Sequence, residues 1–167
     1  MARFKTRARA VDMLGRQQIS GIPTAISELF KNAHDAYADR VEVDFYRSDR
    51  LFVLRDDGLG MTREDFETRW LTLGTESKVG GNSGMSLPPQ ALGKAPRPVL
   101  GEKGIGRLAI AAIGNQVFIV SRALRDQVLQ DTVVAYIHWG IFEQPGIDLD
   151  DIQIPIRTYA DGQLPSE

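Results

Sequence analysis

The sequence has no cysteine and only two histidines, His34 and His138. The lack of cysteine excludes disulfides, thiolate metal sites and cysteine nucleophiles, and two histidines are too few for an ordinary zinc site. No apolar run approaches the roughly 18 residues that a membrane span needs, and the N-terminus lacks the apolar core of a secretory signal. A net charge of −2 shows no overall excess of basic residues for nucleic acid. These absences favour a cytoplasmic protein.

A short basic run opens the sequence. Arg3, Lys5, Arg7 and Arg9 have no acidic residue among them. We interpret residues 1–18 as an N-terminal arm, which is either solvated or contacts a partner subunit or an anionic polymer such as nucleic acid.

The length of 167 residues suits one domain with one core. Ile22, Ile26, Leu29 and Ala33 recur with helical spacing and predict a helix over about 23–38. Other patterns predict a hairpin over 41–47 and 51–58, a short helix that begins with a variant capping box at Thr62 and Asp65, a helix over about 104–113, paired strands over 116–122 and 132–139, and an edge strand over 152–157.

Residues 79–100 differ in composition from the rest of the chain. They contain four glycines, four prolines and no acidic residue. Such a stretch disfavours a regular element and predicts a long loop. Loops of this length inside a compact domain are usually functional lids or disordered segments, and the composition alone leaves both interpretations open.

The first long helix carries a polar stripe. At about 100° per residue, Glu28, Asn32 and Asp35 fall within roughly 60° of one another and away from the apolar stripe. Such a stripe is either a solvated surface or the lining of a cleft. In a cleft, the amide oxygen of Asn32 suits Mg²⁺, which keeps waters and substrate phosphates as its other ligands. Glu28, one turn away, can orient or deprotonate a water molecule.

Three further segments carry residues suited to nucleotide binding. RDDGLGM (55–61) leaves a strand and fits either an ordinary turn or a close backbone approach to a flat ligand whose exocyclic amine donates to a carboxylate. GEKGIGR (101–107) precedes a helix, where backbone N–H groups favour phosphate and Lys103 adds charge. LGTESK (73–78) offers hydroxyls and Lys78, although alone it fits a surface turn.

In this order, the segments resemble those of the GHKL ATPases, which include gyrase B, the ninety-kilodalton heat-shock chaperones, histidine kinases, MutL and the MORC proteins. ELFKNAHDA (28–36) resembles the N-box of the family, DDGLGM (56–61) its first glycine box and GEKGIGRLAIAAIG (101–114) its second. The resemblance covers about residues 20–122 and is closest in look to the heat-shock chaperone and MORC branches. It implies an α+β fold of the Bergerat type, a two-layer α/β sandwich with helices on one face of a mixed, mostly antiparallel sheet, and it makes 79–100 the ATP lid.

The resemblance also implies residue roles. Glu28 matches the general base that activates water, Asn32 the Mg²⁺ ligand, and Asp35 an acidic position near the adenine pocket or the metal-bound waters. Asp56 matches the residue that binds the adenine amine. The other implied nucleotide contacts are Gly58, Gly60, Met61, Thr75, Lys78, Gly101, Lys103, Gly104, Ile105 and Gly106.

We therefore expect ATP binding and Mg²⁺-dependent hydrolysis that drives lid closure and the gating of an ATP-dependent homodimer in a larger machine. Residues 1–18 and 79–100 are expected to order only with nucleotide and a second copy. Two alternatives stay open: a nucleotide-gated regulatory or binding module with little turnover, and a histidine-kinase catalytic domain, which in the family pattern generally lacks a base at position 28. Residues 158–167 are predicted to be turn-like and lack the closing strand of the family. We therefore expect residues 1–167 to be one domain of a longer protein, and hydrolysis by this chain alone stays open.

Overall fold

The computed structural model describes residues 5–17, 19–73, 85–86, 93–101 and 106–163. These residues form short helices and antiparallel strands, which confirms the α+β fold class. The helices are α1 (Arg9–Asp12), α2 (Ile22–Asp35), α3 (Arg63–Asp65) and α4 (Ile110–Ile113), and the strands are β1 (Val41–Tyr46), β2 (Leu51–Asp56), β3 (Met85–Ser86), β4 (Arg97–Pro98), β5 (Gln116–Arg125), β6 (Val128–His138) and β7 (Ile156–Tyr159). π-helical turns follow α1 at Met13–Gln17 and α3 at Phe66–Trp70, and 3₁₀ turns lie at Gly106–Ala109, Trp139–Glu143, Leu149–Asp151 and Ala160–Gly162.

α2 is the first long helix, and it confirms the helix predicted over about 23–38, although it ends at Asp35. Pro23 lies in its first turn, where a missing backbone N–H breaks no helical hydrogen bond. Ala25 and Ala33 are buried, whereas Ile22 is 51% exposed, so the predicted apolar stripe is wrong at its first member. The buried face of α2 therefore carries small side chains, which let other backbone segments approach the helix closely.

β1 and β2 form the predicted hairpin, with Val41 opposite Asp56 and Tyr46 opposite Leu51. β5 and β6 form the predicted pair, and β7 joins β6, so this sheet has the order β5-β6-β7. Every ladder among the residues that the structure describes is antiparallel.

The edge strand β7 begins one residue after Pro155 rather than at residue 152 as predicted. Proline has no N–H to donate to a ladder, and the pairing with β6 starts directly after it, with Ile156 opposite Ala135. The strand then runs to Tyr159, paired with Thr132 of β6. The prediction that residues 158–167 are turn-like is therefore wrong at residues 158 and 159.

The main hydrophobic cluster joins the N-terminal helical segment to the middle of the chain. Trp139 and Phe142 lie at its centre, with ring centroids 5.4 Å apart. The other buried members are Ala8, Val11, Leu108, Ala111 and Ile137. Because the cluster includes the residues that follow Gly106, it fixes the helix that carries the second glycine box.

The N-terminal segment packs on its own chain. Ala8 is fully buried, and its N–H donates to the carbonyl of Ile147 at 3.0 Å. Arg7 bonds to the carboxylate of Asp148 at 2.8 Å, and the amide of Leu149 donates to the carbonyl of Thr6. The interpretation of a solvated, unanchored arm is therefore wrong over residues 6–15, whereas its ordering with nucleotide and a second copy stays a prediction.

Part of the predicted lid is regular. β3 pairs with β4, with Met85 opposite Pro98 and Ser86 opposite Arg97. The prediction that residues 79–100 form no regular element is therefore wrong at these two short strands. The helix predicted over about 104–113 is a 3₁₀ turn from Gly106 that continues into α4.

Candidate functional site

The polar stripe of α2 faces the start of the helix that follows the second glycine box. A Cβ built on Gly106 would lie 2.8 Å from Glu28 Oε2 and 3.8 Å from Asn32 Oδ1. The bare backbone of Gly106 therefore sits against the two residues predicted to be the base and the metal ligand. The Glu28 side chain is 22% exposed, so it is partly covered by its neighbours.

Asp35, the third residue of the stripe, binds backbone. Its carboxylate accepts hydrogen bonds from the amides of Leu100 and Gly101, at 2.9 and 3.0 Å. These bonds hold the first residue of the second glycine box against the C-terminal end of α2. The predicted contact of Asp35 with adenine or with metal-bound waters stays a prediction.

The first glycine box packs against the same helix. Asp56, exposed at the end of β2, accepts the Gly58 amide on Oδ1 at 2.9 Å. A Cβ on Gly58 would lie 2.9 Å from the carbonyl oxygen of Ala36, so a larger residue would push the loop off the end of α2. Ala36 follows Glu28 by eight residues, so Gly58 and Gly106 lie against α2 at points about 12 Å apart along its axis.

The next turn of the first glycine box is held by β5. Gly60 has φ +61°, and a Cβ there would lie 2.2 Å from the carbonyl oxygen of Arg122, so only glycine fits. The Met61 amide donates to Ser121 Oγ at 2.8 Å, and the Leu124 amide donates to the carbonyl of Leu59 at 2.9 Å. The loop is therefore fixed between α2 and the sheet.

The capping box predicted at Thr62 and Asp65 is confirmed, and a residue that the sequence reasoning missed extends it. Arg125 bonds to Asp65 Oδ2 at 2.5 Å and to the carbonyl of Leu59 at 3.0 Å. Burial alone would raise the pKa of Asp65, but hydrogen bonds from Thr62 and Arg125 outweigh it and hold the pKa below its ordinary value. Arg125 thus ties the first glycine box to α3.

The C-terminal part of the predicted lid is attached to the turn after α2. Lys94 donates to the carbonyl of Tyr37 at 2.8 Å and to Asp39 at 2.6 Å. Arg97 donates to the carbonyl of Ala38 and to Asp39, and its guanidinium lies 5.2 Å from the ring centre of Tyr37. Hydrogen bonds from Lys94 and Arg97 lower the pKa of Asp39. Sequence reasoning missed these contacts, because they join segments more than 50 residues apart.

Two further groups complete the surroundings of the candidate site. Lys31 donates to Glu28 Oε1 at 2.6 Å, a contact that the i,i+3 spacing could have predicted. Arg107 donates to the carbonyl of Trp70 at 2.9 Å, and burial lowers its pKa. The 3₁₀ turn that leads into α4 is thereby joined to the segment before the predicted lid.

Five predicted contact residues lie outside the described residues: Thr75, Lys78, Lys103, Gly104 and Ile105. Among the residues that the structure does describe, no helix is long and apolar enough to cross a membrane, and no cluster of three or more histidine or acidic side chains could hold a metal. An open depression lined by Arg7, Arg9 and residues 143–147 contains none of the predicted site residues.

Two curated proteins are similar to this chain. The "Putative type II restriction enzyme HgiDII" of Herpetosiphon aurantiacus is 32% identical over 140 residues, which are 84% of this chain and 19% of that protein. The "Chaperone protein HtpG" of Shouchella clausii (strain KSM-K16) is 26% identical over 118 residues, which are 65% of this chain and 18% of that protein. The chain thus spans about a fifth of the length of these relatives.

The family comparison covers the whole candidate site. Residues 19–141 match the family described as histidine kinase-, DNA gyrase B-, and HSP90-like ATPase. This range includes α2, both glycine boxes and the segment between them, and it confirms the resemblance noted from the sequence. The chain therefore belongs to the histidine kinase-, DNA gyrase B- and HSP90-like ATPase family.

Proposed function

We propose that this chain binds ATP with Mg²⁺ in the cleft beside α2 and hydrolyses it, with Glu28 as the general base. Turnover would drive closure of the lid and ATP-dependent self-association within a larger cytoplasmic machine. The observation that carries the proposal is the placement of Glu28 Oε2 and Asn32 Oδ1 beside the backbone of Gly106. A base, an amide oxygen and a glycine backbone beside a helix start are the groups that activation of water at a phosphate requires.

Each group has a distinct task in this proposal. Glu28 accepts a proton from the attacking water and so makes that water a better nucleophile. The backbone from Gly101 to Gly106 provides N–H groups for phosphate oxygens, and Lys103 adds positive charge. Asp56 accepts a hydrogen bond from the adenine amine, while its Oδ1 holds the Gly58 amide. Gly60 and Met61 shape that pocket, and Thr75 and Lys78 contact the nucleotide.

The donor set suits Mg²⁺. Asn32 offers a neutral amide oxygen, which binds a hard cation without repelling the phosphates. Its Oδ1 lies on the same side of α2 as Glu28 Oε2, so one small site can serve both. Mg²⁺ bound there would neutralise charge that develops on the phosphate oxygens.

The test of the base is Glu28→Ala, measured by phosphate release and by equilibrium binding of Mg-ATP. We expect binding to persist and turnover to fall by a factor of about 10² or more. Glu67→Ala is the matched control, because Glu67 forms a helical ion pair with Arg63 away from the site. Full turnover in Glu28→Ala would remove Glu28 from the mechanism.

The test of the adenine contact is Asp56→Asn, with Asp44→Asn on the neighbouring strand as the control. We expect the Kd for ATP to rise by about 10²-fold or more, because a site built around a carboxylate acceptor is left with an unpaired group. Wild-type protein at about 100 times its Kd for Mg-ATP should gain about 2.7 kcal/mol of stability. Absence of that gain in wild type would contradict the nucleotide proposal as a whole.

Self-association is tested separately. Light scattering in the presence of a non-hydrolysable ATP analogue should show an increase in mass over the nucleotide-free protein. An unchanged monomer mass would contradict dimer gating and leave hydrolysis unaffected.

The similarity to a protein named as a restriction enzyme suggests a second candidate role, in the handling of DNA. That relative is matched by 84% of this chain at 32% identity, more than the chaperone relative. We therefore propose, as a second candidate, that the chain is the ATP-dependent part of a machine that handles DNA. Stimulation of ATP turnover by duplex DNA would support this role, and turnover that does not change with DNA would favour a chaperone-like one.

A further inference from the structure

The ion pair between Glu28 and Lys31 involves the residue proposed as the base. Lys31 Nζ lies 2.6 Å from Glu28 Oε1, and both side chains are only partly exposed, at 38% for Lys31 and 22% for Glu28. A hydrogen bond between two charged groups at this distance is among the stronger polar contacts in proteins. Lys31 is therefore the nearest cation to the proposed base among the described residues.

The two oxygens of the Glu28 carboxylate have different surroundings. Oε1 accepts the hydrogen bond from Lys31. Oε2 lies toward Gly106, 2.8 Å from where a Cβ of that residue would be. The ammonium group thus binds Oε1, and Oε2 is the oxygen that faces the second glycine box.

We propose that Lys31 is a positioning residue for the base: it occupies Oε1 and so directs Oε2 toward the water to be activated. This inference rests on the proposed hydrolase function. A glutamate side chain has three rotatable bonds, and a general base works only within hydrogen-bond reach of the proton that it removes. A second residue that fixes the carboxylate therefore raises the fraction of molecules that are ready to react.

An ordinary helical ion pair is the competing interpretation, and the chain contains one for comparison. Arg63 and Glu67 lie 2.8 Å apart with exposures of 53% and 46%, and exposed pairs of this kind contribute little. The Lys31–Glu28 pair differs in being more buried and in having its acid against Gly106. Arg63→Met is thus a matched control for the loss of a helical cation.

The test is Lys31→Met, followed by kcat, KM and the Kd for Mg-ATP. We expect kcat to fall by about 10-fold or more while Kd changes by less than about 3-fold, which is the pattern of a residue that acts through a catalytic group. Lys31→Arg should recover most of the loss, because it keeps a cation within reach of Oε1. Arg63→Met should leave both constants unchanged.

A double-mutant cycle shows whether Lys31 acts through Glu28. In the Glu28→Ala background, Lys31→Met should leave the residual turnover unchanged, since the group that it positions is gone. Additive losses, a Kd raised 10-fold at constant kcat, or an unchanged or raised kcat in Lys31→Met would each overturn the inference. Wild-type protein that binds Mg-ATP without turnover would overturn the hydrolase proposal and this inference with it. If the wild type turns over ATP and Lys31→Met turns it over equally fast, this inference alone is overturned.

Discussion

Replacing Gly106 with alanine is expected to lower ATP turnover without lowering the stability of the fold. The added Cβ would lie 2.8 Å from Glu28 Oε2, 3.6 Å from Glu28 Cβ and 3.8 Å from Asn32 Oδ1. Ordinary contact begins at 3.4 Å, so only the contact with Oε2 is too short, and that oxygen has to retreat by about 0.6 Å. The substitution therefore moves the proposed base and leaves the proposed metal ligand in place.

The expected effect on turnover is a loss, whereas the expected effect on stability is a small gain. The backbone of Gly106 lies outside the left-handed region, so alanine there is unstrained and restricts the unfolded chain, which contributes about 0.4–1 kcal/mol to stability. The Oε2 atom ends a flexible side chain and yields at little cost. Catalytic groups have to stay within about 0.5 Å of their productive positions, and a displacement of about 1 Å can cost 10²-fold in rate. We expect turnover to fall by about 10-fold or more, with Tm unchanged or slightly raised.

The assay combines phosphate release, Mg-ATP binding and thermal unfolding of the same preparation. Gly114→Ala is the control, because its added Cβ meets only the carbonyl oxygen of Gln116, at an ordinary 3.8 Å. Full turnover in a folded Gly106→Ala variant would refute the placement of the base beside Gly106. A fall in Tm of several degrees would instead show that the backbone yields rather than the Glu28 side chain.

Four other substitutions test the packing in and around the site. Gly60 and Gly93 have left-handed φ values of +61° and +59°, but only a Cβ on Gly60 would meet backbone atoms, at Arg122. Urea unfolding should therefore show a loss of stability of about 1 kcal/mol for Gly93→Ala and at least about 2 kcal/mol more for Gly60→Ala. Equal losses would contradict this. Ala8→Asp buries a charge and should cost about 3 kcal/mol or more, and an unchanged Tm would show that the N-terminal segment does not pack as described. Because the pKa of Asp65 is lowered in the folded state, this residue stabilises the fold at pH values above its unfolded pKa of about 4, and this stability is lost as the pH falls through the folded pKa. Asp65→Asn should therefore lose less stability than wild type below about pH 4. The same dependence on pH in both proteins would contradict this.

Local patterns predicted those parts of the structure whose causes lie within a few residues of one another. The helix α2, the hairpin of β1 and β2 and the capping box at Thr62 depend on neighbours in sequence, and each is confirmed. The stripe of Glu28 and Asn32 followed from helix geometry, and the structure places both beside Gly106.

The wrong predictions share a different cause. Residues 6–15 look like a solvated arm because their basic side chains are visible in the sequence, whereas the burial of Ala8 and Val11 depends on Trp139 and Phe142 far along the chain. Arg125 was missed for the same reason, since it is paired with Asp65 across 60 residues. Charge and glycine content describe a segment alone, and packing depends on what the rest of the fold brings against it.

The attachment of residues 93–101 limits which part of the predicted lid can move. Lys94 and Arg97 bind the turn after α2, and the amides of residues 100 and 101 bind Asp35. Each hydrogen bond contributes about 1 kcal/mol net, so a lid that swung as one body over 79–100 would lose several kcal/mol at this end. A nucleotide drives a movement only by the difference in its affinity for the two states. A movement that leaves these hydrogen bonds in place avoids that cost, and we therefore expect residues 93–101 to stay against the turn after α2 when nucleotide binds.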